Sequence, residues 1–255
     1  MSPLRLGRKP RRVDPRTLQL RKYFLTGLPP PPPTVTYERR VSSWPMMLND
    51  TLGDCTVAAA GHMVEDWTAN ARGSPVVIPD SAIRAAYNVV DGGVDQGADI
   101  LTVLNYWRGT GIGGHKITAF AEVSPRVQRE LFDAVAIFGG AYIGLALPDF
   151  AVRPPDGNLL SVPWTVPTAG VSANPPNPNN GHCVPILGYD SAYLYVVTWG
   201  TLKSMSWDFC VAYCDEAYAL LSPDWIAPGG ESPSGFDRAQ LQSDLSSLTR
   251  AVGST

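Results

Sequence analysis

The stretch LNDTLGDCTVAAA, residues 48–60, places a single cysteine between a loop of turn-forming residues and an apolar segment. From Cys55 to Trp67 the chain has no proline and only one glycine, Gly61, and its apolar side chains recur at helical spacing. Asp54 is suited to cap a helix that begins at Cys55. A cysteine in the first turn lies in the positive field of the helix dipole, which favours the thiolate that attacks carbonyl carbons. The same position also suits a small buried hydrophobic residue, so Cys55 alone leaves both interpretations open.

A histidine far downstream favours the catalytic interpretation. His182 stands where a polar loop ends and the apolar segment 183–189 begins. The segment 193–199 has the composition of a second strand, and residues 190–192 predict a tight hairpin between the two. A cysteine on a helix N-terminus and a histidine on a distant hairpin can form a nucleophile and its general base.

Several segments of the chain resemble the papain-like cysteine peptidases, and they occur in the family's order from residue 43 to 225. WPMMLNDTLGDCTVAAAGHM is similar to the family's Gly-x-Cys and helix segment, GHCVPILGYD to its histidine strand, and VVTWG to its Asn-Ser-Trp-Gly segment. Weaker similarities cover the glycine turn and helix at residues 91–112 and the helix-then-strand unit at 124–146. The resemblance implies an α+β fold of two lobes, one helical and one built on an antiparallel sheet, with the site in the cleft between them.

The resemblance also implies a role for each candidate residue. Cys55 would be the nucleophile and His182 its base, while the side-chain amide of Asn49 and the backbone N–H of Cys55 would form the oxyanion hole. Thr198 stands where the family has the asparagine that orients the imidazole. Trp199 would shield the histidine from water. Trp199 and Gly181 would also line the substrate site.

Three departures from the family pattern bear on activity. Asn49 is one methylene shorter than the family's glutamine, which weakens the oxyanion hole. Alignment from the Gly-Tyr pair of the histidine strand puts Thr198 at the orienting position, whereas alignment on the Trp-Gly pair puts Val197 there, and valine accepts no hydrogen bond. A charged Asp54 beside Cys55 would oppose the thiolate.

Further elements follow from local patterns. We expect helices at 81–90, 98–108 and 124–138, strands at 141–147, 183–189 and 193–199, and a helix over residues 207–221. Cys210 and Cys214 would then lie four residues apart on one helix, without the second ligand pair of a zinc site. Asp215 and Glu216 would lie on a solvated face of the same helix. Neither a metal nor a cofactor is expected.

The charge distribution sets the N-terminal segment apart. Residues 1–40 carry a net charge of +8 and residues 41–255 a net charge of −11. Five prolines at 29–33 predict a stiff polyproline II spacer. We predict that residues 1–42 form a basic, proline-rich arm whose partner is nucleic acid, an acidic protein surface or the chain's own acidic body; a disordered tail is the alternative.

The remaining organisation and the function follow from these features. Residues 43–226 are expected to form the papain-like domain, and 227–255 a linker with a short C-terminal helix. No apolar run reaches the ~18 residues of a membrane span, and no secretory signal is evident, so a cytoplasmic or virion-associated protein is expected. The favoured function is a cysteine peptidase or amidase, with full or reduced activity, that acts on a protein or peptide substrate. The alternative is a non-catalytic component of a larger assembly, such as a phage virion, attached to a protein partner through the arm; nucleic-acid binding ranks third.

Overall fold

The computed structural model describes residues 5–22, 30–153 and 160–235. Seven α-helices are described in these ranges: α1 Cys55–Arg72, α2 Asp80–Val90, α3 Ile100–Gly109, α4 Gln128–Phe138, α5 Asp149–Val152, α6 Gly170–Ala173 and α7 Trp207–Tyr213. The strands are β1 Leu18–Gln19, β2 Val35–Thr36, β3 Ala119–Val123, β4 Ala141–Ala146, β5 Gly181–Tyr189, β6 Tyr193–Thr198, β7 Thr201–Ser206 and β8 Cys214–Leu221. Short 3-10 helices lie at Leu20–Lys22, Tyr37–Arg40, Pro178–Asn180 and Pro223–Trp225. The mixture of helices and one sheet is the α+β class expected from the sequence.

In the described part of the chain, the strands form one sheet in the order β1-β3-β8-β4-β5-β6-β7, and β2 pairs with the end of β5. Neighbouring strands are antiparallel, except that β1 runs parallel to β3. The β5–β6 hairpin closes at Asp190, whose backbone N–H donates to the carbonyl of Tyr193 at 2.9 Å. The predicted hairpin is therefore present, and it fixes His182 near the start of a fully buried strand.

Two apolar cores lie on the two faces of the sheet. The helical core packs α1 against α2 and α3 around residues such as Val64, Trp67 and Trp107, all fully buried. The sheet core joins β4, β5, β6 and β8 to α4 and α7, with Leu131 and Phe209 among its buried residues. The helix α1 also packs against β5. That packing brings the N-terminus of the cysteine helix toward the histidine strand.

The prediction of one long helix over residues 207–221 is wrong. Helix α7 ends at Tyr213, and the chain continues as β8, which pairs with β3 on one side and β4 on the other. A strand in the middle of a sheet that is covered on both faces is buried on both sides, so the alternation of apolar and polar residues that marks a half-exposed strand is absent. The placement of Glu216 on a solvated helix face is wrong for the same reason: it is a β8 residue and only 1% exposed.

The described parts of the N-terminal segment pack on the body of the protein. Strand β1 extends the sheet at its β3 edge. The hydroxyl of Tyr189 donates to the carbonyl of Pro32 at 2.9 Å, which ties the proline run to β5. At the other end, residues 227–235 form a turn in which Ala227 N–H donates to Glu231 O at 2.8 Å. The predicted C-terminal helix falls in residues 236–255, outside the described residues. No helix of the described ranges is long and apolar enough to cross a membrane.

Candidate active site

Cys55 begins helix α1, as the sequence predicts, and its side chain is 1% exposed. The backbone carbonyl of Asp54 accepts hydrogen bonds from the N–H groups of Val57 and Ala58 at 2.8 and 3.0 Å, which starts the helix. The Asp54 side chain makes no capping hydrogen bond. Burial raises the pKa of this carboxyl to about 8. Asp54 is therefore largely neutral at pH 7, and its opposition to a thiolate is smaller than a charged neighbour would exert.

His182 is fully buried at the start of β5, and its two ring nitrogens have different surroundings. Its Nε2 lies 2.8 Å from Oγ1 of Thr198, at the end of the neighbouring strand β6. Among the described residues, Nδ1 has no hydrogen-bond partner. With Thr198 accepting the Nε2 proton, Nδ1 carries the lone pair that a general base needs. Thr198, rather than Val197, is thus the residue whose side chain contacts the imidazole.

Trp199 covers one face of the imidazole. Its ring lies 4.4 Å from the His182 ring, centroid to centroid, with an angle of 17° between the planes. Its backbone has a positive φ of 46°, an unusual conformation for a residue with a side chain. The stacked indole contributes to the burial of the imidazole, which has no exposed surface.

The space between the two lobes is occupied by the chain's own residues 5–9. Gly7 and Arg8 both donate backbone hydrogen bonds to the carbonyl of Gly181, at 3.3 and 3.1 Å. On the other side, the N–H of Ala98 donates to the Gly7 carbonyl at 2.9 Å, and the N–H of Lys9 donates to the Ala98 carbonyl at 3.0 Å. The segment therefore lies between the strand that carries His182 and the loop that precedes α3.

Glycine residues make this close approach between backbones feasible. A Cβ on Gly7 would lie 1.7 Å from the carbonyl oxygen of Gly53, and a Cβ on Gly97 would lie 2.0 Å from the carbonyl oxygen of Gly7. A Cβ on Gly181 would lie 2.0 Å from the carbonyl oxygen of Arg8. These are backbone atoms, which have little freedom to move aside. The cleft and the segment inside it thus fit each other only because neither has side chains at these points.

The amide expected in the oxyanion hole also contacts this segment. Nδ2 of Asn49 donates to the carbonyl of Leu52 at 3.2 Å and, more weakly, to the carbonyl of Arg5 at 3.5 Å. The Arg5 carbonyl also accepts a hydrogen bond from Nε1 of Trp199 at 2.9 Å. Polar groups that could hold a substrate carbonyl are in this way already engaged by the protein's own backbone.

Charges join the N-terminal segment to the acidic body. Arg8 is 2% exposed on its side chain, and its guanidinium contacts Glu216 at 2.5 Å and Asp215 at 2.8 Å. Exposed or half-buried pairs add to this contact: Arg5–Asp95, Arg11–Glu122 and Arg12–Asp99. Of the three partners considered for the arm, the structure shows contacts with the chain's own body.

Burial in the filled cleft keeps both members of the candidate pair uncharged. Desolvation raises the pKa of the Cys55 thiol to about 12, although backbone hydrogen bonding from Cys183 and Gly7 partly offsets it. Desolvation, together with the positive charge of Arg8, lowers the pKa of His182 to about 3. A thiolate–imidazolium pair requires shifts in the opposite directions. The filled cleft therefore holds a neutral thiol and a neutral imidazole.

His62 and the cysteines Cys210 and Cys214 take structural places. His62 is buried, and its Nε2 contacts the carbonyl of Pro45 at 2.8 Å; desolvation lowers its pKa to about 4. Cys210 and Cys214 are buried free thiols, and no group of three or more potential metal-ligating side chains is found in the described residues. The i,i+4 cysteine spacing spans the end of helix α7 and the start of strand β8.

Comparison with solved structures identifies the architecture. Xylellain, a cysteine protease from Xylella fastidiosa, superposes with a TM-score of 0.64 at 15% identity, covering 86% of this chain and 97% of its own. The fold is papain-like. The Carica candamarcensis protease CMS1MS2, solved in complex with E-64, gives a TM-score of 0.55 at 14% identity, covering 74% of this chain and 98% of its own. Procathepsin L 3 of Tenebrio molitor gives 0.57 at 14% identity, covering 86% of this chain and 76% of its own. No protein-family model and no curated protein sequence matches the chain.

Two parts of the candidate site are missed by sequence reasoning. The occupied cleft is one, because a basic, proline-rich segment is ordinarily read as a tail. The opposite net charges of the arm and the body are the sequence feature that indicates a contact between them. Glu216 is the other, since its partner Arg8 stands 208 residues away in the chain.

Proposed function

We propose that this protein is a cysteine peptidase whose active site is closed by its own N-terminal segment. Cys55 is the nucleophile, His182 the general base, Thr198 the residue that orients the imidazole, and Asn49 a donor to the oxyanion. The observation that carries the proposal is the pairing at His182: Nε2 is engaged by Thr198 at 2.8 Å and Nδ1 is left without a partner in the described part of the chain. A buried polar atom without a partner is unfavourable, and a catalytic role is one explanation for such an atom.

The chemistry begins when the segment leaves the cleft. Nδ1 of His182 takes the thiol proton of Cys55, and the sulfur attacks the carbonyl carbon of a peptide bond. The N–H of Cys55 and the amide of Asn49 stabilise the negative charge on the carbonyl oxygen. His182 returns the proton to the leaving amine, which leaves a thioester on Cys55. Water activated by His182 then hydrolyses the thioester and frees the thiol.

The N-terminal segment controls the access of solvent to Cys55 and His182. With residues 5–9 in the cleft, desolvation is the first cause of both the raised pKa of Cys55 and the lowered pKa of His182. Release of the segment hydrates the pair and removes the Arg8 charge that disfavours imidazolium. Hydration moves both groups toward the thiolate–imidazolium state, whereas loss of the Arg8 charge favours imidazolium but also removes a contribution that lowers the pKa of Cys55.

Covalent labelling in a variant with a displaced segment tests the proposal. The full-length Gly7→Ala variant is treated with an epoxide inhibitor of papain-like enzymes, and the modified cysteine is located by peptide mass spectrometry. We expect selective modification of Cys55 that is lost in Gly7→Ala/His182→Ala, together with hydrolysis of fluorogenic peptides. The buried thiols of Cys183, Cys210 and Cys214 serve as internal controls. Modification of Cys55 at equal rates with and without His182 would reject an activated thiolate.

The alternative function, a non-catalytic building block of a larger assembly, makes the opposite prediction. A folded Gly7→Ala protein that exposes Cys55 to small thiol reagents, yet neither reacts with the epoxide nor cleaves peptides, would favour the assembly role. Binding to nucleic acid would show instead as a salt-dependent association, because phosphate contacts release counterions. The arginines Arg5, Arg8, Arg11 and Arg12 are already paired with carboxylates of the body, which argues against that use of the segment.

A further inference from the structure

We propose that the pocket formed by Glu216 and Asp215 is the specificity site for an arginine side chain of the peptide substrate, and that Arg8 fills it in the closed molecule. This inference rests on the proposed peptidase function and adds a substrate class to it. Arg8 is the ligand of this pocket in the closed molecule, and its contacts indicate which kind of substrate side chain the pocket can bind.

The contacts are those of a guanidinium group. Nη1 of Arg8 lies 2.5 Å from Oε1 of Glu216, and Nη2 lies 2.8 Å from Oδ2 of Asp215. Two nitrogens of one planar group thus reach two different carboxylates. A lysine ammonium presents one compact charge and does not reproduce this fork, so the geometry favours arginine over lysine.

The walls of the pocket are held in place. Glu216 is 1% exposed, and the hydroxyl of Tyr218 donates to its second oxygen, Oε2, at 3.0 Å. Gly144 forms part of the wall: a Cβ there would lie 2.9 Å from both Cδ and Nη1 of Arg8 and 2.7 Å from Cγ of Glu216. Asp215 is 40% exposed on its side chain and forms the outer end. The pocket is therefore a slot with one buried and one solvent-facing carboxylate.

The pocket lies next to the reacting groups. In the sheet, Gly144 is the register partner of both Cys183 and Glu216, and Cys183 follows His182 directly. The backbone of Gly7 contacts the Cys55 thiol, and the next residue sends its side chain into the pocket. A peptide lying along the same cleft would present a side chain to the pocket one residue from the position beside Cys55.

The vacated pocket must take up a proton or bind a cation. Without Arg8, Glu216 is a buried carboxylate whose remaining contact among the described residues is Tyr218. A buried charge without a partner is unfavourable, so the carboxyl must either take up a proton or bind a positive ligand. Burial already raises the pKa of Glu216, with Arg8 opposing that shift. A neutral or acidic side chain in this slot leaves the carboxylate unpaired, whereas an arginine restores both contacts.

Chemical rescue of the full-length Arg8→Ala variant tests the pocket without any need for catalysis. Methylguanidinium at millimolar concentration should raise the unfolding temperature of Arg8→Ala saturably, through binding to the native state. Methylammonium and N-methylurea, matched in size, should not. Arg8→Ala/Glu216→Gln, in which both charges are absent, should not respond to any of the three. Equal responses of the single and double variants, or equal effects of methylguanidinium and methylammonium, would overturn the proposal. If Arg8→Ala is unfolded in buffer, recovery of its native circular dichroism with methylguanidinium alone gives the same answer.

Peptide binding then separates this inference from the peptidase function. In full-length Gly7→Ala/Arg8→Ala/Cys55→Ala, an arginine-containing peptide should bind at least tenfold more tightly than its citrulline twin, and Glu216→Gln should abolish the difference. With Cys55 restored, the arginine peptide should also be the better substrate. A preference for arginine in binding without hydrolysis would reject the peptidase and keep the pocket. Hydrolysis with no preference for arginine over citrulline would reject the pocket and keep the peptidase.

Discussion

Substitution of Gly7 by alanine should open the cleft without shortening the chain. The new Cβ would lie 1.7 Å from the carbonyl oxygen, 2.3 Å from the carbonyl carbon and 2.6 Å from the Cα of Gly53. All three are backbone atoms of the loop that leads into α1, so no side-chain rotation relieves the overlap. At this point the segment is held only by non-covalent contacts, namely the backbone hydrogen bonds of residues 7–9 and the ion pairs of Arg8. The segment must then leave the cleft.

The size of the effect follows from the contacts that are lost. Four backbone hydrogen bonds hold residues 7–9 against Gly181 and Ala98. At about 1 kcal/mol net for each, their loss shifts the equilibrium between filled and open cleft by about 4 kcal/mol, close to 10³-fold. Loss of the buried Arg8–Glu216 pair adds to this shift. We therefore expect Cys55 to react with iodoacetamide at least about 10²-fold faster in Gly7→Ala than in the wild type.

The assay is the second-order rate of Cys55 modification, followed by mass spectrometry in the native protein. The matched control is Gly109→Ala, since a Cβ at Gly109 has no neighbour within 4 Å and that backbone is not in a strained conformation. Gly109→Ala should react at the wild-type rate. If folded Gly7→Ala also reacts at the wild-type rate, the segment does not control access to Cys55. The unfolding temperature of each variant shows whether faster modification reflects opening of the cleft or general unfolding.

Three further outcomes are expected. In the Gly7→Ala background, Thr198→Val should lower the rate of peptide hydrolysis about tenfold or more, because valine leaves the Nε2 proton of buried His182 without an acceptor. Thr198→Ser should retain the activity. The pH–rate profiles of the three forms check this prediction. In the same background, Asn49→Ala should lower kcat by about 10²-fold with little change in KM, as expected for loss of a donor used in the transition state. Burial raises the pKa of Glu65 to about 8 and that of Asp66 well above its ordinary value. The folded protein keeps these protons at a pH where the unfolded chain has released them, so stability should fall as pH rises from about 5 to about 8. Glu65→Gln/Asp66→Asn should flatten that dependence in thermal unfolding; an unchanged slope would contradict it.

Local and periodic features were within reach of the sequence. The helix beginning at Cys55 has a turn before it and an uninterrupted apolar face, and the hairpin between β5 and β6 has strand segments on both sides of Asp190. Each of these signals depends on residues that are close together in the chain, so a single sequence is enough to recognise it. The order of the motifs then predicted the papain-like fold, which the structural comparisons support.

Long-range pairing was beyond such reasoning. Strand β8 is paired on both sides and buried along most of its length, so its sequence lacks the alternation of apolar and polar residues that separates a strand from a helix. The contact between Arg8 and Glu216 depends on the whole fold. Both side chains taken alone are charged residues of the kind that usually face solvent. Only the excess of positive charge in the arm and negative charge in the body hinted that the two attract.

The second attachment of the N-terminal segment, at strand β1, has a consequence for inhibition by added peptides. Because Leu18 and Gln19 pair with β3, the part of the chain that fills the cleft is tethered a short distance from it. A tethered ligand acts at an effective concentration that reaches the millimolar range for short linkers. A free peptide with the sequence of residues 5–9 would therefore compete poorly with the attached one. One cut in the largely exposed stretch 11–17 would remove that advantage, since the cleft residues would then dissociate by dilution.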